Sequence, residues 1–252
     1  MIRGLFLVVL ALLLTGAREP VLVPDVSQRN VDIVYSFTGA ELLLFGAILY
    51  PDGRFPQRDA DIAVVLKGPS QPILMREKQR LLGTIWANAD STRFQSAPGF
   101  YAIATSRPLG KLIDERTAAI YELGLGNIQL SPADAGDTGK QARFENGLVD
   151  LRRKNELFID RPGAVEITNG VLYRARLPIP ARVPTGHYTA ETFLIRDGRI
   201  LAAATRDIVI RKSGFERFVA VAADQSPFLY GLCAIALSLA LGWLASAAFK
   251  RF

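Results

Sequence analysis

Among side chains able to move protons, attack as nucleophiles or bind metals, this sequence is rich only in carboxylates. It has 24 Asp and Glu against one His and one Cys in 252 residues. Paired carboxylates can serve as general acid and base, or hold calcium through hard oxygen ligands. Asp25, Asp32, Glu41, Asp61 and Asp90 are the ones a fold could bring together; the plainer alternative is five solvated surface charges. Glu41 deserves the first look because it opens an otherwise apolar run, although a strand start is an ordinary place for a charge. The lone His187 sits in Pro184-Thr185-Gly186-His187-Tyr188, which reads as a turn beside a structural tyrosine. One histidine cannot supply two zinc ligands, and the common hydrolytic triads depend on histidine. The sequence contains no Gly-x-Ser-x-Gly, His-Glu-x-x-His, phosphate-cradling glycine loop, Cys pair or EF-hand loop. No catalytic residue, metal or cofactor is therefore expected, and the protein is expected not to be an enzyme. The alternative is a carboxylate-based enzyme or a metal- or solute-binding module.

Trp86-Ala87-Asn88-Ala89-Asp90 places an aromatic beside turn formers. That pattern suits an exposed recognition edge, while a tryptophan is more often part of a core. Asp25, Asp32, Glu41, Trp86, Asn88 and Asp90 are accordingly the candidate surface of the body.

The elements that would position these residues are mostly strands. From residue 31, Val31, Ile33, Tyr35 and Phe37 alternate with smaller or polar neighbours, and residues 41–49 read as a strand buried on both faces. Further strands are expected at 61–66, 72–76, 83–87, 91–95 and 100–105, with turns at Pro51-Asp52-Gly53, Gly68-Pro69, Asn88-Ala89-Asp90 and Pro98-Gly99. Short strands at this spacing indicate an antiparallel β-sandwich. The apolar spacing then turns helical over 109–125 and 141–156, before strands resume at 165–168, 172–177, 188–195 and 200–210. Asp197-Gly198 between two apolar runs is a hairpin signal. Tyr101 and Tyr188 each follow a Gly-x pair ahead of a late strand, where a sandwich places a corner tyrosine.

The fold expected is mainly β: two antiparallel, Ig-like β-sandwich domains, 18–108 and 159–214, with a helical connector at 109–158 and a linker at 215–226. The runner-up is one continuous domain. Gly214 to Ala223 reads as a short amphipathic connector to the membrane, with Phe215, Phe218 and Val219 on one side.

The ends are apolar. Met1-Ile2-Arg3, eleven apolar residues and Thr15-Gly16-Ala17 have the parts of a secretory signal. Eleven helical residues reach about 17 Å, short of a hydrocarbon core of about 30 Å, so residues 1–17 are expected to be cleaved; an uncleaved anchor is the alternative. Residues 227–249 carry no charge, and at the helical rise they span about 34 Å, enough for a transmembrane helix. Lys250-Arg251 then favours a cytoplasmic tail at 250–252 and a body in the periplasm or outside the cell. Cys233 lies inside the span, so the exported body has no disulfide. Between residues 18 and 226 lie all 24 acidic and 27 of the 30 basic residues, a net charge of +3 without a long basic run. That argues against nucleic-acid binding. Within the span, Ala234, Ser238, Gly242 and Ser246 form a small-xxx-small stripe, a candidate face for a partner helix or a homodimer. The alternative is that an alanine-rich span has small residues everywhere, as Ala236, Ala240 and Ala248 show.

Several blocks carry a family resemblance: Val23-Pro24-Asp25 with Val31-Asp32-Ile33, the run from Phe37 through Glu41 to Ala47, Trp86-Ala87-Asn88-Ala89-Asp90, Pro98-Gly99-Phe100-Tyr101 and Tyr230-Gly231-Leu232. Through nearly the whole mature chain the sequence resembles a family of alphaproteobacterial transmembrane proteins. The resemblance implies a bacterial inner-membrane protein with a periplasmic body, and carries over no catalytic residue. It also tilts the choice of partner toward a sulfite-exporter-type transporter, which favours an accessory or interaction protein.

Overall fold

The run Asp61-Ile62-Ala63-Val64-Val65-Leu66 lacks a polar alternate after its first residue. A strand of that kind belongs inside a sheet covered on both faces. In the computed structural model, residues 20–33, 39–51, 60–81, 84–133, 137–212 and 215–249 are described. The signal expected at 1–17, the tail at 250–252, Tyr35, Phe37 and most of the turn at 51–53 lie outside these residues.

In chain order the elements are β1 (Val21–Val26), β2 (Asn30–Ile33), β3 (Ala40–Leu49), β4 (Asp61–Lys67), β5 (Ser70–Leu81), β6 (Ile85–Pro98), β7 (Tyr101–Thr105), α1 (Glu115–Ile120), β8 (Ser131–Pro132) and α2 (Thr138–Lys154). They continue with β9 (Phe158–Pro162), β10 (Val165–Thr168), β11 (Leu172–Ile179), β12 (Gly186–Arg196), β13 (Arg199–Lys212), α3 (Phe215–Gln225) and α4 (Pro227–Phe249). Three sheets result, ordered β1-β3-β11-β10, β2-β13-β12-β4-β7-β9 and β5-β6-β8. Pairing is antiparallel except at β2–β13 and β7–β9.

The protein is mainly β, with several antiparallel sheets and one C-terminal apolar helix. Leu42, Leu44 and Ile48 of the four-stranded sheet meet Ile62, Val64, Leu66 and Tyr188 of the six-stranded sheet in one core. On the other side of the six-stranded sheet, Ala63, Val65, Tyr101 and Ile103 pack under Leu112, Ala118 and Leu123 of the segment after β7. That covers β4 and β7 on both faces. Each large side chain so buried contributes about 1.5–3 kcal/mol of transfer free energy. A third cluster, Phe94, Ala97, Phe144 and Leu148, fastens β6 to α2.

Both larger sheets draw strands from both 18–108 and 159–214. β3 pairs with β11, and β4 pairs with β12. The boundary drawn between the two expected units therefore passes through each sheet. A further difference is β9, where a connector end and a turn were expected; it lies parallel to β7, with Tyr101 opposite Phe158.

Local chemistry explains the other differences. The helix expected over 109–125 is broken into a 3-10 turn at 109–111, α1, and another 3-10 turn at 125–127. Asp114 caps α1 by accepting from the Thr117 N–H, and positive φ at Glu122 and Gly124 stops it. The second helix begins at Thr138, earlier than 141, because Asp137 accepts from the N–H groups of Gly139 and Lys140. Asn88-Ala89-Asp90 is not a turn. It lies within the 14-residue β6, and a register shift opposite Glu77 and Lys78 absorbs the extra residue as a bulge. Asp197 and Gly198, with φ of 48° and 77°, form the two-residue turn between β12 and β13.

Candidate functional site

In β3, side chains alternate between core and surface, so it is not buried on both faces as its sequence suggests. Leu42, Leu44 and Ile48 face inward, whereas Phe45 is 39% and Leu49 51% exposed. The register assembles the outward set: Val21 lies opposite Leu49, Val23 opposite Ala47, and Ala47 opposite Leu172. Val21, Val23 and Leu172 are also exposed, which leaves one end of this sheet face apolar. The other end is charged, with Asp25, Arg176 and Glu41 exposed or half-exposed and Arg174 donating from Nε to Glu166 Oε2 at 2.8 Å. Alternating polar residues normally mark the wet side of a strand. Here the wet side is itself apolar, which disguised it in the sequence.

On the inner face Gly46 is required by close approach. A Cβ there would sit 2.5 Å from the Val23 carbonyl oxygen and 2.6 Å from Tyr173 Oη.

A cleft of about 1390 Å³ opens at the end of the sandwich, lined in part by Asp61, Ser106, Arg107, Lys111, Asn169 and Asp197. Asp61, 9% exposed, begins β4. Its carboxylate accepts from Ser106 Oγ at 2.7 Å and Arg107 Nε at 2.9 Å, and closely from Arg107 Nη2. Burial by itself would push its pKa up. The hydrogen bonds from Arg107 and Ser106 outweigh it and hold the carboxyl below its ordinary value. The pair fastens the start of β4 to the turn after β7, and leaves Asp61 an ionised acceptor rather than a proton donor.

Three of the remaining sequence-selected carboxylates are separately paired. Asp25 lies 3.6 Å from Arg29, Asp32 accepts from Arg211 Nε at 2.9 Å, and Asp90 accepts from Lys140 Nζ at 2.6 Å and Arg143 Nη2 at 3.2 Å. The Lys140 hydrogen bond holds the Asp90 carboxyl below its ordinary value. Glu41 is exposed and lines a smaller cleft with Lys154, Glu156 and Arg182. Among the described residues, no three His, Cys, Asp or Glu side chains are grouped so as to hold a metal ion.

Trp86 is 60% exposed, so it is not part of a core. It stands in β6 opposite Arg80, whose guanidinium lies 5.0 Å from its ring centroid. Asn88 is exposed in the same strand. His187 is exposed as the second residue of β12 rather than in a turn.

The two tyrosines differ. Tyr188 Oη donates to the Pro184 carbonyl four residues back at 2.6 Å. Tyr101 Oη instead reaches forward, donating to the Glu122 carbonyl at 2.8 Å and accepting the Gly124 N–H at 3.0 Å. Beside it Lys67 Nζ bridges Glu122 and Glu191, each at 3.1 Å. Burial would lower the Lys67 pKa, and hydrogen bonds to both carboxylates more than offset this, so it is raised. This ion triad, built from three distant segments, had no signal in the sequence.

α4 is apolar throughout the window 227–246 and is unburied by the rest of the chain, long enough to cross a membrane. Ala234, Ser238, Gly242 and Ser246 lie exposed along it, and Ser238 Oγ donates to the Ala234 carbonyl at 2.8 Å. A Cβ at Gly242 would touch nothing. A family model described as "Putative transmembrane protein (Alph_Pro_TM)" matches residues 21–251. No curated protein and no solved structure matches the chain significantly. With one membrane-length helix among the described residues, following a β-rich body, and a match spanning both, the chain belongs to that transmembrane protein family.

Proposed function

We propose that this is a single-pass inner-membrane protein with its β-rich body in the periplasm and its C-terminus in the cytoplasm, acting as a non-catalytic accessory or interaction partner of another membrane protein. The observation that carries the reading is the outward face of the four-stranded sheet. Val21, Val23, Phe45, Leu49 and Leu172 are exposed there beside a charged rim, the arrangement typical of an interaction surface. The signal-like residues 1–17 and the cationic Lys250-Arg251 support the orientation. The stripe on α4 offers a second contact within the bilayer. A sulfite-exporter-type transporter is the partner favoured by the family resemblance, and a homodimer is the other.

The test is a photo-crosslinking residue at Phe45 in living cells, followed by mass spectrometry. A crosslinked membrane protein, lost when Leu172→Asp is added without change in melting temperature, is the expected result. Absence of any crosslink, together with a chain that purifies alone in every mild detergent, refutes it.

The cleft beside Asp61 favours a second reading, a solute-binding module. A ligand bound only by the folded state raises the melting temperature, so a thermal-shift screen of divalent ions, sulfite and sugars separates the two.

A further inference from the structure

The β5–β6 hairpin has two unlike faces. Ile73, Met75 and Phe94 pack with α2 residues Phe144 and Leu148, and the acids Glu77 and Asp90 on that side pair with Arg143 and Lys140. The opposite face carries Leu74, Arg76, Lys78 and Arg80 at every second position of β5, opposite Arg93, Ser91, Asn88 and Trp86 of β6. All eight are exposed, and none is acidic. Among the described residues, Arg76, Lys78 and Arg93 have no ion pair. Next to the tip Ile85 is 61% and Trp86 60% exposed. The result is a basic ribbon ending in an aromatic and an aliphatic side chain, on a protein held to a bilayer by α4.

We propose that this ribbon docks on the anionic phospholipid headgroups of the same membrane, with Trp86 and Ile85 in the interfacial layer and Arg76, Lys78, Arg80 and Arg93 over the phosphates. Three features favour a lipid occupant. Tryptophan is the side chain most at home at the headgroup level. Basic residues gain free energy near an anionic surface without a shaped partner, and this ribbon is a row of charges rather than a pocket. The tether makes docking intramolecular, so a weak attraction that would never recruit a free protein can hold the arm at high effective concentration. β5 has 12 residues, and at the strand rise of about 3.4 Å per residue it is roughly 40 Å long, a span over which its basic residues can meet several headgroups.

The experiment uses the full chain in lipid nanodiscs, with Trp243→Phe so that Trp86 is the single tryptophan. In discs containing phosphatidylglycerol, brominated lipids are expected to quench Trp86 and acrylamide to lose access to it; in pure phosphatidylcholine Trp86 stays open to acrylamide. Replacing Arg76, Lys78 and Arg93 together by Gln leaves the Arg80–Trp86 contact and the α2 face untouched. It is expected to lower the docked-to-undocked ratio about a hundredfold, since each basic residue near an anionic surface contributes close to one decade or slightly less. High salt should mimic it. Equal acrylamide access in the two lipids, or quenching that survives the triple replacement, overturns the proposal. So does protection of Trp86 that appears only when an acidic soluble protein is added, which assigns the arm to a protein partner instead.

Discussion

Removing one oxygen from Tyr101 should destabilise the protein more than removing one from Tyr188, although the two residues occupy similar sequence contexts. Tyr101 Oη makes two backbone hydrogen bonds, to the Glu122 carbonyl and from the Gly124 N–H, and Gly124 is buried. Tyr101→Phe leaves that N–H without a partner. A stranded buried donor costs about 1–3 kcal/mol and the second, partly exposed bond about 0.5–1.5, giving roughly 2–4 kcal/mol. Tyr188→Phe loses one bond, to a half-buried carbonyl that water can reach, worth about 0.5–1.5 kcal/mol. At about 2–4 °C per kcal/mol for a chain of this size, Tm should fall by roughly 4–16 °C in the first variant and roughly 1–6 °C in the second. Circular-dichroism melts of the full chain in mild detergent measure both. Burial raises the Tyr101 hydroxyl pKa above its ordinary value of 10.0, so the folded state holds the proton more tightly than the unfolded one. The resulting stability is complete below pH 10 and declines as pH rises through the folded value, by up to about 1.4 kcal/mol per pH unit. Tyr101→Phe should therefore flatten the alkaline loss of stability. Equal melting losses in the two variants, or an unchanged alkaline slope, would refute the assignment of Tyr101 as the pin of the Glu122–Gly124 turn.

Asp61→Asn should cost about 1–2 kcal/mol at neutral pH by weakening the bonds from Ser106 and Arg107, a modest figure because Arg107 is half-exposed and screened. The Asp61 pKa is lowered from 3.8, so its contribution is present above that pH and lost as pH falls through the folded value; urea melts at neutral and acid pH should show the gap closing. Gly46→Ala should cost about 1–3 kcal/mol, because β1 or the Tyr173 ring must move to clear a Cβ; an unaltered urea midpoint counts against that crowding. Gly242→Leu should abolish co-purification of a partner or the homodimer if the α4 stripe is a contact face, and unchanged association removes that role.

Much of the strand content was readable because its cause is local. The apolar run at 61–66, the Asp197-Gly198 turn and the uncharged stretch at 227–249 each carry their own physical signal. Asn88-Ala89-Asp90 misled because turn-forming residues also suit a bulge, and only the opposite strand decides which. Trp86 could be core or surface on composition alone, and it became surface because it lies, opposite Arg80, on the face of the β5–β6 hairpin turned away from α2. The outward face of β3 was hidden for a different reason: exposed apolar residues repeat the pattern of burial.

By itself the sequence determined a β-rich body, an apolar span long enough for a bilayer and the residue types from which any site must be built, since strand periodicity and hydropathy act over a few residues at a time. Only the tertiary structure decided that β3 joins β11 and β4 joins β12, that Lys67 meets Glu122 and Glu191, and that Val21, Phe45, Leu49 and Leu172 share one open face. These are pairings across long stretches of chain. Their free energy comes from register and shared burial, which no local pattern encodes.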